Sequence, residues 1–434
     1  MPTSLCSSAL ARGLRMDRTA VEQCGFAGSA PARFKFEGTF LDYFFPLLGI
    51  LQFYSLGSTG SYGSVILYIY GAMHIVLSIG RRELFVHKGL LVFVLYALVV
   101  QPIVFEMYGG WNSARLFNYV TVAYIFILLV FFSNRLNINV FYRNYVIVAS
   151  IASAAIVIQA FQLYVLGQPV YGIALLPCDT SSWFDGGTRP CGLFPEPSVY
   201  AYYILPLLFL MLKRGSVRLA MVFSACIIVS TSTLGILCCF VLWGWYLFFE
   251  LKDLRKAFAY CFFLIAAAAL LFGAEIAGIA LDKILSTDYA NSPRLTRGFF
   301  IFLNLDFWEQ VFGIGFNNLQ YYIDSGRVIL TDYASTIVSY ENRAYVTSVY
   351  QVLIGYGIVG FVLYFVPFFK QIVQDRGNRI LIVLFLALSV AQTMFFSMSF
   401  LVWAIPMFNL IDKESSSAFF KIPCVKRGRA CRNR

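Results

Sequence analysis

Runs of near-continuous apolar residues recur along the chain at about 40–56, 62–80, 88–106, 116–133, 145–167, 198–212, 218–232, 234–249, 257–275, 345–369, 380–395 and 397–411. A run of about 20 apolar residues is what a helix needs to cross a bilayer, so the pattern predicts about twelve spanning helices. Some runs are short, and the polar patch at Gln392, Thr393 and Ser397 leaves open whether the last two form one kinked helix, so the count could be eleven. Two intervals break the rhythm, at 168–197 and 276–344, and unstructured connections of that length usually carry function. The expected organisation is a poorly ordered tail over 1–38, a single all-α transmembrane domain over 39–411 with those two large loops, and a basic tail over 412–434.

Composition narrows the class. The 434 residues are 59% hydrophobic, 18% aromatic and only 13% charged. A soluble domain carries about 25% charged residues, and disordered or coiled-coil chains are more polar still. The expectation is therefore a polytopic integral membrane protein. No cleavable signal peptide core precedes the first span, which is expected to act as the insertion signal.

The net charge of +11 is a matter of placement. Of the 33 basic residues, 26 fall in alternate connections and in the tails, among them Arg81, Arg82, Arg135, Lys213, Arg214, Lys252, Arg255, Lys370 and Arg379. Seven fall on the other side: Arg115, Arg189, Lys283, Arg294, Arg297, Arg327 and Arg343. Positive charge marks the cytoplasmic side, so both termini are expected in the cytoplasm and both large loops outside. The charges form no folded basic module, which argues against nucleic acid; the tail is expected to touch anionic lipid headgroups.

Cys178 and Cys191 share the first outer loop on the oxidising side, which predicts a disulfide ring there. No Cys/His spacing reads as a zinc site, and no cofactor is expected. Within the same loop, Pro195 and Pro197 bracket Glu196 in GLFPEPSVYA and should stiffen the chain before the next helix. The second loop holds Arg294 and Arg297, three apart and hence on one face if helical. GFFIFLNLDFWEQVFGIGF follows, too polar at Asp306 and Glu309 to cross, and is expected to lie along the outer interface as an amphipathic segment. Positive-inside sorting disfavours outer arginines, and guanidinium groups bind phosphate oxygens in forked pairs, so a lipid diphosphate is the partner they suggest. The plainer alternative is pairing with Asp288, Asp306 or Glu341.

GLFPEPSVYA, then STSTLG, then a long outer loop with LTRGFF and VFGIGFNN, then Gly357 and Gly360 in the following span, resemble in order and topology the bacterial O-antigen polymerase and O-antigen ligase superfamily. The likeness covers roughly residues 185–365. It implies a membrane glycosyltransferase of the bacterial inner membrane, acting at the outer face on undecaprenyl-diphosphate-linked oligosaccharides, with outer-loop arginines holding the diphosphate. The positions matching that role are Arg189, Arg294 and Arg297, with Arg343 behind them. The ligase pattern places a His-Asn pair nine residues ahead of a glycine; counting back from Gly357, this chain has Val346 and Thr347.

The expected activity is polymerisation of lipid-linked repeats into O-antigen, capsule or exopolysaccharide. Arg189, Arg294 and Arg297 are its expected catalytic arginines, Glu196 or Glu341 its candidate base, and Arg343, Asn317 and Asn342 its expected substrate contacts. Membrane lipids, a flippase and a chain-length regulator are expected partners. The rival readings are a ligase and, from another class, a polysaccharide flippase or transporter. Against the last, the two halves of the chain differ and few charges sit deep in the spans.

Overall fold

The computed structural model describes residues 40–55, 61–79, 83–108, 113–132, 137–180, 183, 186–251, 260, 297–328, 344–375, 377–393, 397–409 and 419–423. The chain is mostly helical. In order come α1 (Phe40–Leu51), α2 (Tyr62–Ile79), β1 (Glu83–His87), α3 (Lys88–Tyr108), α4 (Ser113–Phe132), α5 (Ile138–Tyr164), α6 (Pro197–Lys213), α7 (Val217–Val229) and α8 (Thr233–Trp245), which ends in a π-helical turn over Tyr246–Glu250. Among the described residues three short helices follow, α9 (Arg297–Leu303), α10 (Phe307–Phe312) and α11 (Leu319–Asp324), then α12 (Ser348–Gln374), α13 (Arg379–Ala391), α14 (Met398–Asn409) and β2 (Phe419–Pro423).

Four helical segments, Lys88–Tyr108, Ile138–Tyr164, Thr233–Glu250 and Ser348–Gln374, are long and apolar enough to cross a membrane. Their outward faces are apolar too: Leu95, Val99 and Ile103 on α3 and Ile147, Ile151 and Ile158 on α5 are all exposed, as lipid-facing positions are. The expected span at 257–275 lies outside the described residues, apart from Tyr260.

α6 is the hub. Every residue from Tyr200 to Leu212 is buried, the signature of a helix apolar all round. It packs on α5, α7, α8 and α14. Pro197 starts it at the first helical position, where the missing N–H costs nothing.

Two expectations are corrected here, and one alternative left open is decided. The run at 145–167 starts earlier, at Ile138, because the Asn137 side chain accepts from the backbone N–H groups of Asn139 and Val140 and caps the helix. The interval 380–411 is two helices, not one, since α13 ends at Gln392, whose backbone oxygen accepts from Ser348 N (2.9 Å) at the head of α12. Within the basic tail, residues 419–423 form a strand antiparallel to β1, with His87 opposite Phe419. This pairing joins two segments that the charge pattern assigns to the same side. His87, nearly fully buried, accepts from Leu90 N and so caps α3, its ring against Phe408.

Candidate functional site

The first long loop, 168–197, folds onto the bundle through side chains that meet its main chain. Gln159, a buried amide near the end of α5, accepts from Cys191 N (2.9 Å) and Gly192 N (2.8 Å) and donates to Tyr171 O (2.6 Å). Tyr54 donates to the carbonyls of Ile173 and Leu193. Phe194 then packs with Tyr200 and Tyr203 of α6.

Arg189 binds Thr231. Its Nε donates to Thr231 Oγ1 (3.0 Å) and its Nη2 to Thr231 O (2.6 Å). Thr231 sits in STSTLG with φ of 57°, a left-handed conformation costly for a β-branched residue, and the Arg189 bonds offset that strain. On either side, Ser230 ends α7 and Ser232 begins α8, accepting from Gly235 N (3.3 Å). The two motifs of the resemblance that lie farthest apart before the second loop are thus one structural unit. Burial lowers the Arg189 pKa, and the nearby Cys191, Glu196 and Tyr164 oppose that shift. The guanidinium remains a cation.

Glu196 is exposed. Its backbone carbonyl opens α6 by accepting from Val199 and Tyr200 N–H, and its carboxylate takes a hydrogen bond from Ser198 Oγ (2.9 Å). It therefore acts in the turn itself. The expected Cys178–Cys191 disulfide is not formed: both are free thiols. Cys191 is buried, its thiol donates to Arg189 O (3.3 Å), and burial pushes its pKa up to about 12.

The second loop is organised around a break in α12. Gly357 has φ of 70° inside this long helix, and a side chain there would collide with the Val311 carbonyl. The break frees backbone carbonyls that a continuous helix would satisfy, and other segments take them up. Ile314 N donates to Ile354 O (2.9 Å) and Gly315 N to Gly355 O (3.1 Å). Gln101 of α3 donates to Gly355 O (3.0 Å) and accepts from Phe316 N (2.6 Å). Tyr96 donates to Tyr356 O (2.8 Å). VFGIGFNN is thereby pinned against the glycine-rich half of α12 by backbone bonds and one buried amide.

The expected amphipathic segment is two short helices joined by a turn. Asp306 and Glu309 form a capping box that starts α10, the Glu309 carboxylate accepting from Asp306 N (3.1 Å) and from Tyr322 Oη (2.9 Å). Ile301, Phe302 and Leu305 turn inward to a small core with Ile314, Tyr322 and Ile354, separate from the main one. Outward stand Phe299, Phe300, Leu303, Phe307 and Trp308, all about half exposed or more, with Trp308 stacked on Phe312. Arg297 is 5% exposed at the start of α9, where Gly298 lies against the Tyr350 ring of α12. Arg327 stacks over the Tyr322 ring at 5.4 Å.

Of the sequence-predicted residues, Arg297 starts α9, which packs on α12, and Asn317 lines a cavity beside α12, while Arg189 and Glu196 belong to the first loop, whose Phe194 joins the main core. Arg294, Glu341, Asn342 and Arg343 lie outside the described residues. Sequence reasoning missed Gln101, Gln159, Thr231, Glu309 and Tyr322. The signal for the two glutamines was available, because a lone amide within an apolar run is costly unless both its ends are bonded. Among the described residues, no His, Cys, Asp or Glu group gathers as a metal site would require. No protein-family profile matches the chain, and no curated protein is detectably similar to it.

Proposed function

We propose that the protein is a polysaccharide polymerase of a bacterial inner membrane, joining undecaprenyl-diphosphate-linked oligosaccharide repeats at the outer face. The observation that carries this reading is the convergence of LTRGFF, VFGIGFNN and the Gly-x-x-Gly helix: α9 and α10 both pack on α12 at its break. These are the motif parts on which the resemblance rests.

In this reading the growing chain on its lipid diphosphate is the donor. A hydroxyl of the incoming repeat attacks its anomeric carbon, the bond to the diphosphate breaks, and the hydroxyl proton leaves to a base or water. Arg297, with Arg294 three residues before it in sequence and Arg343 farther along the same loop, stabilises the negative charge of the departing diphosphate. Arg189 acts as a positioning residue through Thr231. The exposed ridge of Phe299, Phe300, Phe307 and Trp308 rests at the lipid surface, where the carrier lipid arrives.

The test supplies the purified full chain, in nanodiscs, with lipid-linked repeats alone. Products lengthening by whole repeats, with release of undecaprenyl diphosphate, are the expected result. Transfer only after lipid A core is added, or movement of repeats across a bilayer without lengthening, would overturn it.

A further inference from the structure

The bend of VFGIGFNN and the first half of α12 enclose a cavity of about 40 Å³. Gly315, Phe316, Asn317 and Gln320 line one side, and Gln351 and Gly355 the other. We propose that this cavity is a binding subsite for the hydroxyl-bearing edge of a neutral sugar, the acceptor of the reaction assigned above, and it rests on that reading only for the word acceptor.

Three features select this ligand class. First, none of the lining side chains is ionisable, and three are primary amides, each offering two donors and an acceptor. A diphosphate would find no cation here, whereas a polyol hydroxyl, itself both donor and acceptor, is what amides pair with. Second, these groups are available. Among the described residues the Asn317 and Gln351 amides hydrogen-bond to nothing, and Gln320, though it donates to Asp324 Oδ1 (2.8 Å), keeps its carbonyl oxygen. Third, the half-buried Phe316 ring, stacked on Tyr356 with centroids 6.2 Å apart, gives the cavity an apolar face beside its polar ones. A pyranose presents that same pairing of C–H face and hydroxyl edge.

Size sets how much of the sugar enters. One water needs roughly 10–15 Å³ of such space, so the cavity has room for about three waters, or two to three hydroxyl groups in their place. Both walls are preorganised, since Gln101 bonds Phe316 N on one side and Gly355 O on the other. Asn317 holds its place with φ of 58°, in the left-handed region that asparagine tolerates better than most residues.

The experiment measures binding of free methyl glycosides and short neutral oligosaccharides to the full chain in nanodiscs by saturation-transfer NMR. Wild type, Gln351→Leu and Asn317→Gly are compared; the glycine keeps the left-handed backbone while removing the amide. At least one neutral sugar should bind wild type and bind each variant about tenfold more weakly, the loss of one good hydrogen bond. Inorganic diphosphate binding should be equal in all three proteins. No sugar binding by wild type, equal binding by all three, or loss of diphosphate binding in the variants would overturn the subsite. The two readings separate cleanly. Sugar binding that depends on Gln351 and Asn317 in a protein that lengthens no repeats upholds the subsite and sinks the polymerase. Repeats that lengthen with an unchanged acceptor KM in both variants uphold the polymerase and sink the subsite.

Discussion

The two long loops are anchored by the same device used in opposite ways. In each, a glutamine of an apolar helix bonds the loop main chain, Gln159 for the first and Gln101 for the second. Gln159 reaches into a loop with no helix among its described residues between Val165 and Glu196 and satisfies two adjacent N–H groups. Gln101 shares its work, because Gly355 O also accepts from Gly315 N, and the second loop brings three short helices and a core of its own. The described part of the first loop is bonded to side chains of the bundle, and that of the second to backbone groups where α12 breaks. A catalytic surface needs both kinds of order, a fixed frame and backbone groups left free of helical bonding.

The break at Gly357 is where the comparison is easiest to destroy. Gly357→Ala should cost about 3 kcal/mol or more, combining left-handed strain with a clash against Val311 O, and should abolish the well-folded fraction in detergent size exclusion and thermal unfolding. Gln159→Leu comes next: two buried N–H groups lose their acceptor, for a loss of about 3 kcal/mol and rapid protease cleavage within 166–196. Gln101→Leu should cost less, about 1–2 kcal/mol, because only Phe316 N is left without its acceptor. Equal losses from the two glutamine substitutions would end the distinction drawn between the loops.

Arg189→Lys should cost about 1 kcal/mol, since lysine can keep only one of the two bonds to Thr231, and its effect on sugar transfer should track the stability loss. A transfer defect of about 10²-fold at normal stability would restore Arg189 to the diphosphate itself. The smallest effect is chemical. Burial raises the Cys191 pKa to about 12, so its thiolate fraction should stay negligible as pH rises through 7 to 9, and become appreciable only toward 12. Mass spectrometry after iodoacetamide treatment of the native protein should find Cys178 modified and Cys191 spared over that range, with both modified after denaturation. A disulfide-linked peptide in unreduced digests would show that the loop closes as its sequence first suggests.

Much of the fold was legible because apolar runs report burial without regard to partner. The runs beginning at 40, 62, 88, 116, 198 and 218 reappear as α1 to α4, α6 and α7 within a few residues. Where the run beginning at 145 misled, a local polar group had intervened: Asn137 lengthened α5 by capping it. The long loops were less legible, since their bonds run between residues far apart in sequence. Nothing in RPCGLF announces that Arg189 holds Thr231, and a glycine in an apolar run does not declare that its helix opens there.

By itself, then, the sequence determined a mostly helical chain rich in membrane-length apolar segments, and the positions of its glycines, prolines and lone amides. Tertiary structure decided which of those glycines turns left-handed, which carbonyls the turn releases and which amides collect them. Hydrophobic periodicity is a property of neighbours along the chain, whereas a buried hydrogen bond needs a donor and an acceptor that only folding can bring within 3 Å. Asn317 and Gln351 become two sides of one cavity for that reason, though 34 residues separate them in the chain.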